Sequence, residues 1–290
     1  MTSKVISQLF YYPIKSCQGI AVSSLEIENL GPKSDREWMI VDEQGQFMTQ
    51  RQHPQMSLIK VGWDDSKNLW LQTPLQAEKI LIPSAENQQN SSTPSTQLPT
   101  QLRKVKVWGD EVMAQVSFQA SEYLSDFLSQ KVNLVRFGHQ QRPENADGSR
   151  TRFADKYPLL VLGTASWQDL NQRLQSQGAT SAVAIENFRA NVIIETQTPY
   201  EEDHWDEFQV SSASASTDGL KLKMVKPCAR CVMVDVDFTK GQPGQLKVLK
   251  TLASYRKVDN KVYFAMNAKP ILNSGESRRI QVGDRVRVIE

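Results

Sequence analysis

The sequence is poor in cysteine and has no long apolar run. It contains three cysteines in 290 residues, a small and odd number that argues against a secreted protein built on disulfides. No apolar run approaches the roughly 20 residues that span a bilayer, and the first residues lack the apolar stretch and cleavage site of a signal peptide. We therefore expect a protein of the reducing cytoplasm with no membrane partner.

An excess of charge of one sign is also missing. The formal net charge is +2, which gives no support for a general nucleic-acid surface. Hydrophobic residues make up 39% of the chain, so the composition is that of a soluble globular protein. The length allows a substantial core and favours two domains.

The spacing of apolar residues predicts an α+β, β-rich fold. Helical spacing follows Ser121, a predicted N-cap, and recurs at 167–174 and 248–258. A hairpin is predicted at 38–49 with Gly45 in its turn. Alternating apolar residues predict further strands, at 5–12, 58–63, 69–72, 79–82, 103–108, 111–116, 132–137, 159–162, 191–195, 205–210, 220–224, 262–266 and 285–289. Because strands and helices do not alternate regularly, we expect β-barrels rather than a doubly wound sheet.

A polar segment interrupts this pattern between residues 85 and 101. It is rich in Gln, Asn, Ser, Thr and Pro and has almost no large apolar side chains to offset the entropy of ordering. We interpret it as a mobile surface insertion. Strands resume directly after it, so the insertion need not mark a domain boundary.

The most informative feature is a cysteine pair, Cys228 and Cys231, with Arg230 between them. A fixed positive charge beside a thiolate favours nucleophilic or soft-metal chemistry. A structural zinc site would need four ligands, and the other candidates are scattered along the chain: Cys17, His53, His139 and His204. Two reduced cysteines packed as small hydrophobic side chains remain an alternative.

A thioredoxin-like redox motif is disfavoured by the residues on the C-terminal side of the pair. Such a motif opens a helix, whose N-terminus stabilises the thiolate. Here Val232, Val234 and Val236 come next at a spacing of two, which predicts a strand.

Several polar motifs, read together with the cysteine pair, closely resemble the MOSC superfamily. The resemblance is to its two-part branch, which includes the mitochondrial amidoxime-reducing components and the bacterial YcbX-type reductases. The motifs are Tyr-Pro-Ile-Lys-Ser-Cys-x-Gly at 12–19, Asp-Arg-x-Trp at 35–38, Met-Thr-x-Arg-Gln at 48–52, Tyr-Pro-Leu-Leu at 157–160, Phe-Arg-x-Asn at 188–191, Glu-Asp-x-Trp at 202–205 and Pro-Cys-x-Arg-Cys at 227–231. They span nearly the whole chain in the family's order.

The resemblance implies a fold and a cofactor. It implies an N-terminal β-barrel-like domain at 1–118, packed on a C-terminal β-barrel domain with flanking helices at 119–290. It also implies a molybdenum cofactor whose metal is bound by Cys231, with matching positions around the pterin and its phosphate at Lys15, Ser16, Arg36, Arg189, Asn191 and Arg230. Such a site needs a thiolate together with Arg and Lys donors.

Three assignments around this site stay open. The helix start at Thr164 to Ser166 either offers backbone N–H groups to an anion or is capped within the protein. For Cys228 we favour a structural role. A basic stretch either lies at the entrance to the cofactor or meets an acidic electron carrier or, as we favour, lies on a solvated loop: Arg136, Arg142, Arg150 and Arg152.

The activity implied is the reduction of N-hydroxylated compounds such as amidoximes, hydroxylamines and N-hydroxylated base analogues. Longer bacterial relatives append a ferredoxin-like domain with four cysteines, whereas this sequence has none beyond Cys231. We therefore expect electrons from a separate ferredoxin, cytochrome b5-like protein or flavoprotein reductase. The alternatives are a molybdopterin or sulfur carrier without turnover, and a zinc-stabilised β-module that acts in protein interactions.

Overall fold

The computed structural model describes residues 4–83, 101–138, 142–212 and 219–289. Within these ranges the protein is β-rich with three α-helices, so the predicted fold class is confirmed. The strands in chain order are β1 (Lys4–Tyr11), β2 (Ile20–Val22), β3 (Ser24–Glu28), β4 (Gly31–Pro32), β5 (Trp38–Asp42), β6 (Lys60–Trp63), β7 (Leu69–Thr73), β8 (Gln76–Ile82), β9 (Leu102–Val107), β10 (Asp110–Ser117), β11 (Val132–Phe137), β12 (Leu159–Gly163), β13 (Val192–Ile194), β14 (Glu207–Ser211), β15 (Leu220–Arg230), β16 (Val236–Asp237), β17 (Gln242–Pro243), β18 (Lys257–Val258), β19 (Lys261–Ile271), β20 (Arg278–Gln281) and β21 (Arg285–Ile289). The helices are α1 (Phe118–Leu128), α2 (Thr164–Ser176) and α3 (Val248–Arg256).

Seven strands close into a barrel in the order β12-β13-β1-β21-β14-β15-β19, and β19 pairs back with β12. The start of β15 illustrates why, because Leu220, Leu222 and Met224 are buried whereas Lys221 and Lys223 face outward. This alternation fits a strand with one face on a core. The barrel interior is filled by such inward side chains.

The first strand of the chain belongs to this barrel. β1 pairs with β13 on one side and with β21 on the other, and both partners come from the C-terminal part of the chain. The division into domains at 1–118 and 119–290 stays a prediction. Because β1 is paired with strands on both sides, the loop that follows it is held at the edge of the barrel.

A second, half-open β layer is built from the strands between β5 and β11. One sheet has the order β5-β11-β10-β9 and another the order β6-β7-β8. Helix α1 covers their shared core with Ala120, Leu124 and Leu128. The prediction of Ser121 as N-cap is wrong, because the helix begins at Phe118 and Ser121 lies inside it. The Ser121 hydroxyl donates to Ser117 O and accepts from Leu134 N of β11.

The strand predicted after the cysteine pair is wrong. β15 continues through two register shifts as far as Arg230, and residues Val232–Asp235 form a 3₁₀ turn instead. Residues two apart in a strand lie on the same face, but Val232 is 52% exposed while Val234 is buried. The spacing of these valines therefore does not reflect a strand. Asn187 holds the turn, since its Nδ2 donates to the carbonyl oxygens of Val234 and Val236 at 3.0 and 2.9 Å.

Two predicted helices and one predicted turn agree with the structure. The second and third predicted helices are confirmed as α2 and α3, and Gly45 has the positive φ, 78°, expected of its turn. The predicted insertion, apart from Gln101, lies outside the described residues. Within the described ranges, no helix has both the length and the apolar character needed to cross a membrane.

Candidate functional site

One cavity brings together seven of the nine residues predicted to form the site. It lies where the loop after β1, the turn before β5, the segment before β12, the turn before β13 and the end of β15 converge. The predicted residues that line it are Lys15, Ser16, Arg36, Arg189, Asn191, Arg230 and Cys231. Segments far apart in the sequence therefore meet as the motifs predicted.

The backbone at this cavity adopts an uncommon conformation at three of these positions. Ser16, Arg36 and Arg189 have φ values of 66°, 46° and 55°, in the left-handed region that residues other than glycine rarely occupy. Hydrogen bonds hold the turns: Arg36 N donates to Tyr12 O at 2.7 Å, and Arg189 N donates to Glu186 O at 3.0 Å. Such conformations cluster at functional sites, where the surrounding structure over-determines them.

A buried carboxylate, Asp35, organises one wall. Its oxygens accept from Arg36 Nη1 at 2.7 and 2.6 Å, from Tyr12 N at 2.8 Å and from Asn191 Nδ2 at 3.3 Å. Asn191 also donates to Phe10 O, and its Oδ1 accepts from Leu160 N at 3.2 Å. Asn191 thus joins β1 and β12 to the Asp35 carboxylate and positions the wall.

Another part of the cavity is formed by Lys15 together with residues that were not predicted to belong to the site. Lys15 is 6% exposed, and its Nζ donates to Phe153 O at 2.9 Å and to the Asp155 carboxylate. Burial lowers the pKa of the Lys15 amine, and the charge of Asp155 opposes that shift. Arg51 also lines the cavity, with its guanidinium 4.6 Å from the ring of Trp108. The motif at 48–52 was the sequence signal for Arg51, whereas Asp155 lies in no motif.

Two arginines that line the cavity carry nitrogen atoms that are buried and have no hydrogen-bond partner among the described residues. Arg189 donates through Nη1 to Cys17 O at 2.7 Å, but its Nη2 is unpartnered. Arg230 donates to Cys228 Sγ and Phe188 O, but its Nε is unpartnered. Burial, followed by the neighbouring charge of Arg36, lowers the pKa of Arg189 to about 10. Buried donors without partners are costly, so these groups fit an anionic ligand.

The three cysteines differ in their surroundings. Cys228 and Cys231 both line the cavity and are partly exposed. Cys17 is fully buried, and burial raises the pKa of its thiol to about 12. A molybdenum pterin needs one soft thiolate ligand beside cationic donors for its phosphate. The cavity residues fit that group, because they combine a thiol at Cys231 with unpartnered guanidinium nitrogens.

Thr164 and Ser166 do not line the cavity. Glu202 caps their helix, accepting from Gly163 N at 3.1 Å and from Ser166 Oγ at 2.8 Å. Thr196 Oγ1 accepts from Ala165 N at 3.0 Å. Of the two alternatives, these contacts favour a cap over an anion site, because side chains of the protein already accept from Gly163 N and Ala165 N.

Replacing Ser166 with alanine should therefore affect folding and leave the cavity intact. We expect Ser166→Ala to lower the free energy of unfolding by about 1–3 kcal/mol, because the buried Glu202 carboxyl loses a donor. Ser176→Ala, at the exposed end of the same helix, is the matched control. Denaturant unfolding and molybdenum content per chain are the measurements, and loss of molybdenum at unchanged stability would restore the anion-site interpretation.

The four arginines of the basic stretch do not form an open basic surface, and not all of them are solvated. Each arginine pairs with a carboxylate, in the ion pairs Arg136–Glu37, Arg142–Asp110, Arg150–Glu144 and Arg152–Glu28. The prediction of solvation is wrong for Arg142, which is 6% exposed. Its guanidinium donates to Thr151 Oγ1 and to the carbonyl oxygens of Arg152 and Ala154. Arg142 thereby fixes the segment that carries Asp155 into the cavity.

Comparisons with known proteins agree with this architecture. Two family models match the chain, the MOSC N-terminal beta barrel domain at residues 3–131 and the MOSC domain at residues 148–287. The chain is 32% identical to human mitochondrial amidoxime-reducing component 1 over 88% of this chain and 72% of that protein. It is 28% identical to human mitochondrial amidoxime reducing component 2, over 88% and 73%. It is also 29% identical to an Aspergillus niger molybdenum cofactor sulfurase, over 97% of this chain and 41% of that protein.

Proposed function

Since the chain belongs to the MOSC superfamily, we propose that it is a molybdenum-cofactor-dependent reductase of N-hydroxylated compounds. The observation that carries this proposal is the cavity that joins the Cys231 thiol to the unpartnered guanidinium nitrogens of Arg189 and Arg230. The relatives named amidoxime-reducing components support the choice of reaction.

In this proposal different residues of the cavity bind different parts of the cofactor. The Cys231 thiolate would bind molybdenum, while Lys15, Arg36, Arg189 and Arg230 would donate to the phosphate and pterin. A bound molybdenum cofactor would supply the two-electron chemistry that removes oxygen from nitrogen. Asp35 and Asn191 hold the cationic wall in place, as their mutual hydrogen bond supports.

The overall reaction converts an N–OH group to N–H and releases water, and it consumes two electrons and two protons. Among the described residues that line the cavity, Asp155 carries the one carboxylate. Burial opposes ionisation, but the charge and hydrogen bond of Lys15 lower the pKa of Asp155, so it stays ionised and serves as a fixed negative charge. Lys15 Nζ and Trp108 Nε1 donate to this carboxylate and orient it.

The electrons, in this proposal, come from a separate protein in the cytoplasm, either a ferredoxin, a cytochrome b5-like protein or a flavoprotein reductase. A cluster of the four-cysteine type cannot form within this sequence, because the sequence has three cysteines. Two of those three also line the cavity.

The proposal is tested on the purified protein with an artificial electron donor. We expect close to one molybdenum and one pterin per chain, and conversion of an amidoxime to the amidine. The Cys231→Ala protein is the control. Full cofactor loading without turnover would favour a molybdopterin or sulfur carrier, an alternative that the sulfurase relative motivates. Zinc without pterin would instead indicate the zinc-stabilised β-module and contradict both.

A further inference from the structure

The ring of Tyr12 contacts two guanidinium groups of the cavity. The Cζ atoms of Arg36 and Arg189 each lie 4.2 Å from the ring centroid. Both distances are well within the range of about 6 Å over which an aromatic ring attracts a cation. One aromatic side chain is therefore shared by two positive charges.

Tyr12 is itself held firmly. It is 1% exposed, its hydroxyl donates to Ala190 O at 3.1 Å, and its backbone N–H donates to Asp35. Gly19 lies against the ring so closely that a Cβ there would be 2.4 Å from Tyr12 Cε1. The ring consequently acts as a fixed surface for the two arginines.

A ring differs from a carboxylate in what it does to an arginine's charge. Arg36 forms an ion pair with Asp35, whereas Arg189 has no carboxylate within salt-bridge distance in the described ranges. Two neighbouring guanidinium groups repel each other, and a ring attracts both through its quadrupole without adding a negative charge. Arg189 is thus held in place while its charge stays available to an anion.

We propose that Tyr12 is a positioning residue that holds Arg36 and Arg189 side by side as an anion-binding pair. The inference deepens the proposed function and rests on it in one respect, because the anion would be the phosphate of the pterin cofactor. The buried, unpartnered Nη2 of Arg189 is the atom that the anion would satisfy.

The inference is tested with inorganic phosphate on the full chain purified without cofactor. We expect Tyr12→Phe, which keeps the ring and loses the hydroxyl, to bind phosphate within about twofold of the wild type. We expect Tyr12→Leu, which removes the ring, to bind about 10-fold more weakly. Isothermal calorimetry gives both affinities, and rescue by phenylalanine separates ring contacts from the hydroxyl bond to Ala190.

If the Tyr12→Leu variant does not fold, fluorinated phenylalanines at position 12 provide a second test of the ring contact. They have nearly the shape of phenylalanine but a progressively weaker quadrupole, so phosphate affinity should fall with each added fluorine. Equal affinities across this series, or equal losses in Tyr12→Phe and Tyr12→Leu, would overturn the inference. A wild-type chain that binds no phosphate would also overturn it. Absence of molybdenum from the native protein would instead reject the proposed function alone.

Discussion

Replacing Cys231 with alanine is expected to remove most of the bound molybdenum and to lower N-hydroxyl reduction at least about 100-fold. Even partners that only orient metal ligands contribute roughly 10–100-fold to affinity or activity, and Cys231 is proposed to bind the metal directly. Cys231 is partly exposed to the cavity at the start of the 3₁₀ turn, so its truncation leaves little buried volume unfilled. Molybdenum content and steady-state turnover are the measurements.

The matched control is Cys228→Ala, three residues earlier in the same cavity wall. Its sulfur accepts from Arg230 Nη1 at 3.3 Å, and its side chain packs against the core beneath helices α2 and α3. We expect this variant to keep most of its molybdenum and to lose at most about tenfold in activity, since a partner of Arg230 is lost rather than a metal ligand. Retention of molybdenum and full turnover in Cys231→Ala would reject the ligand assignment, and the reverse ranking of the two variants would transfer it to Cys228.

The sequence predicts strands well where one face of the strand is buried. β11 and β21 have the predicted bounds, because alternation of side chains is a direct result of the pleat. The same rule fails for Val232, Val234 and Val236, because their spacing of two is coincidental. A hydrogen bond from Asn187 to Val234 O holds this segment in a turn. The rule also cannot show that β1 closes the C-terminal barrel, since the pairing of Ile6 with Ile194 joins residues far apart in the sequence and leaves no local signal.

The candidate site is predictable to the extent that its residues lie in motifs. Motif residues such as Lys15 and Arg189 line the cavity. Asp155 does not stand out in the sequence, because its position depends on Arg142, whose contacts shape the segment around it. Ser166 shows the opposite error: it was predicted as a site residue at a helix start, but its hydroxyl donates to Glu202, which lies 36 residues away.

Replacing Asp35 with alanine is expected to lower the free energy of unfolding by about 3–5 kcal/mol and to abolish cofactor retention. Breaking a buried ion pair leaves an uncompensated charge, and that cost is typically of this size. Asp35 and Arg36 have side-chain exposures of 3% and 12%. Without the carboxylate, Arg36 would carry its full charge beside Arg189, and the Tyr12 N–H would lose its acceptor. Denaturant unfolding and molybdenum content measure the two effects.

An exposed aspartate of the same kind provides the control. Asp206 pairs with Lys223, but its side chain is 71% exposed, so Asp206→Ala should cost no more than about 1 kcal/mol. Asp35→Asn, which keeps one acceptor oxygen, should fall between Asp35→Ala and the wild type. If the Asp35→Ala variant does not fold, Asp35→Asn still allows cofactor retention to be measured.

A double replacement separates the charge pair from the rest of the wall. When Asp35→Ala is combined with Arg36→Met, the unpaired charge disappears, so the double variant should be destabilised by less than the sum of the two single changes. Cofactor retention should nevertheless stay low, because Arg36 is one of the cations proposed to bind the phosphate. Strict additivity in the unfolding free energies would show that Asp35 acts through its bonds to Tyr12 and Asn191 and not through the charge of Arg36.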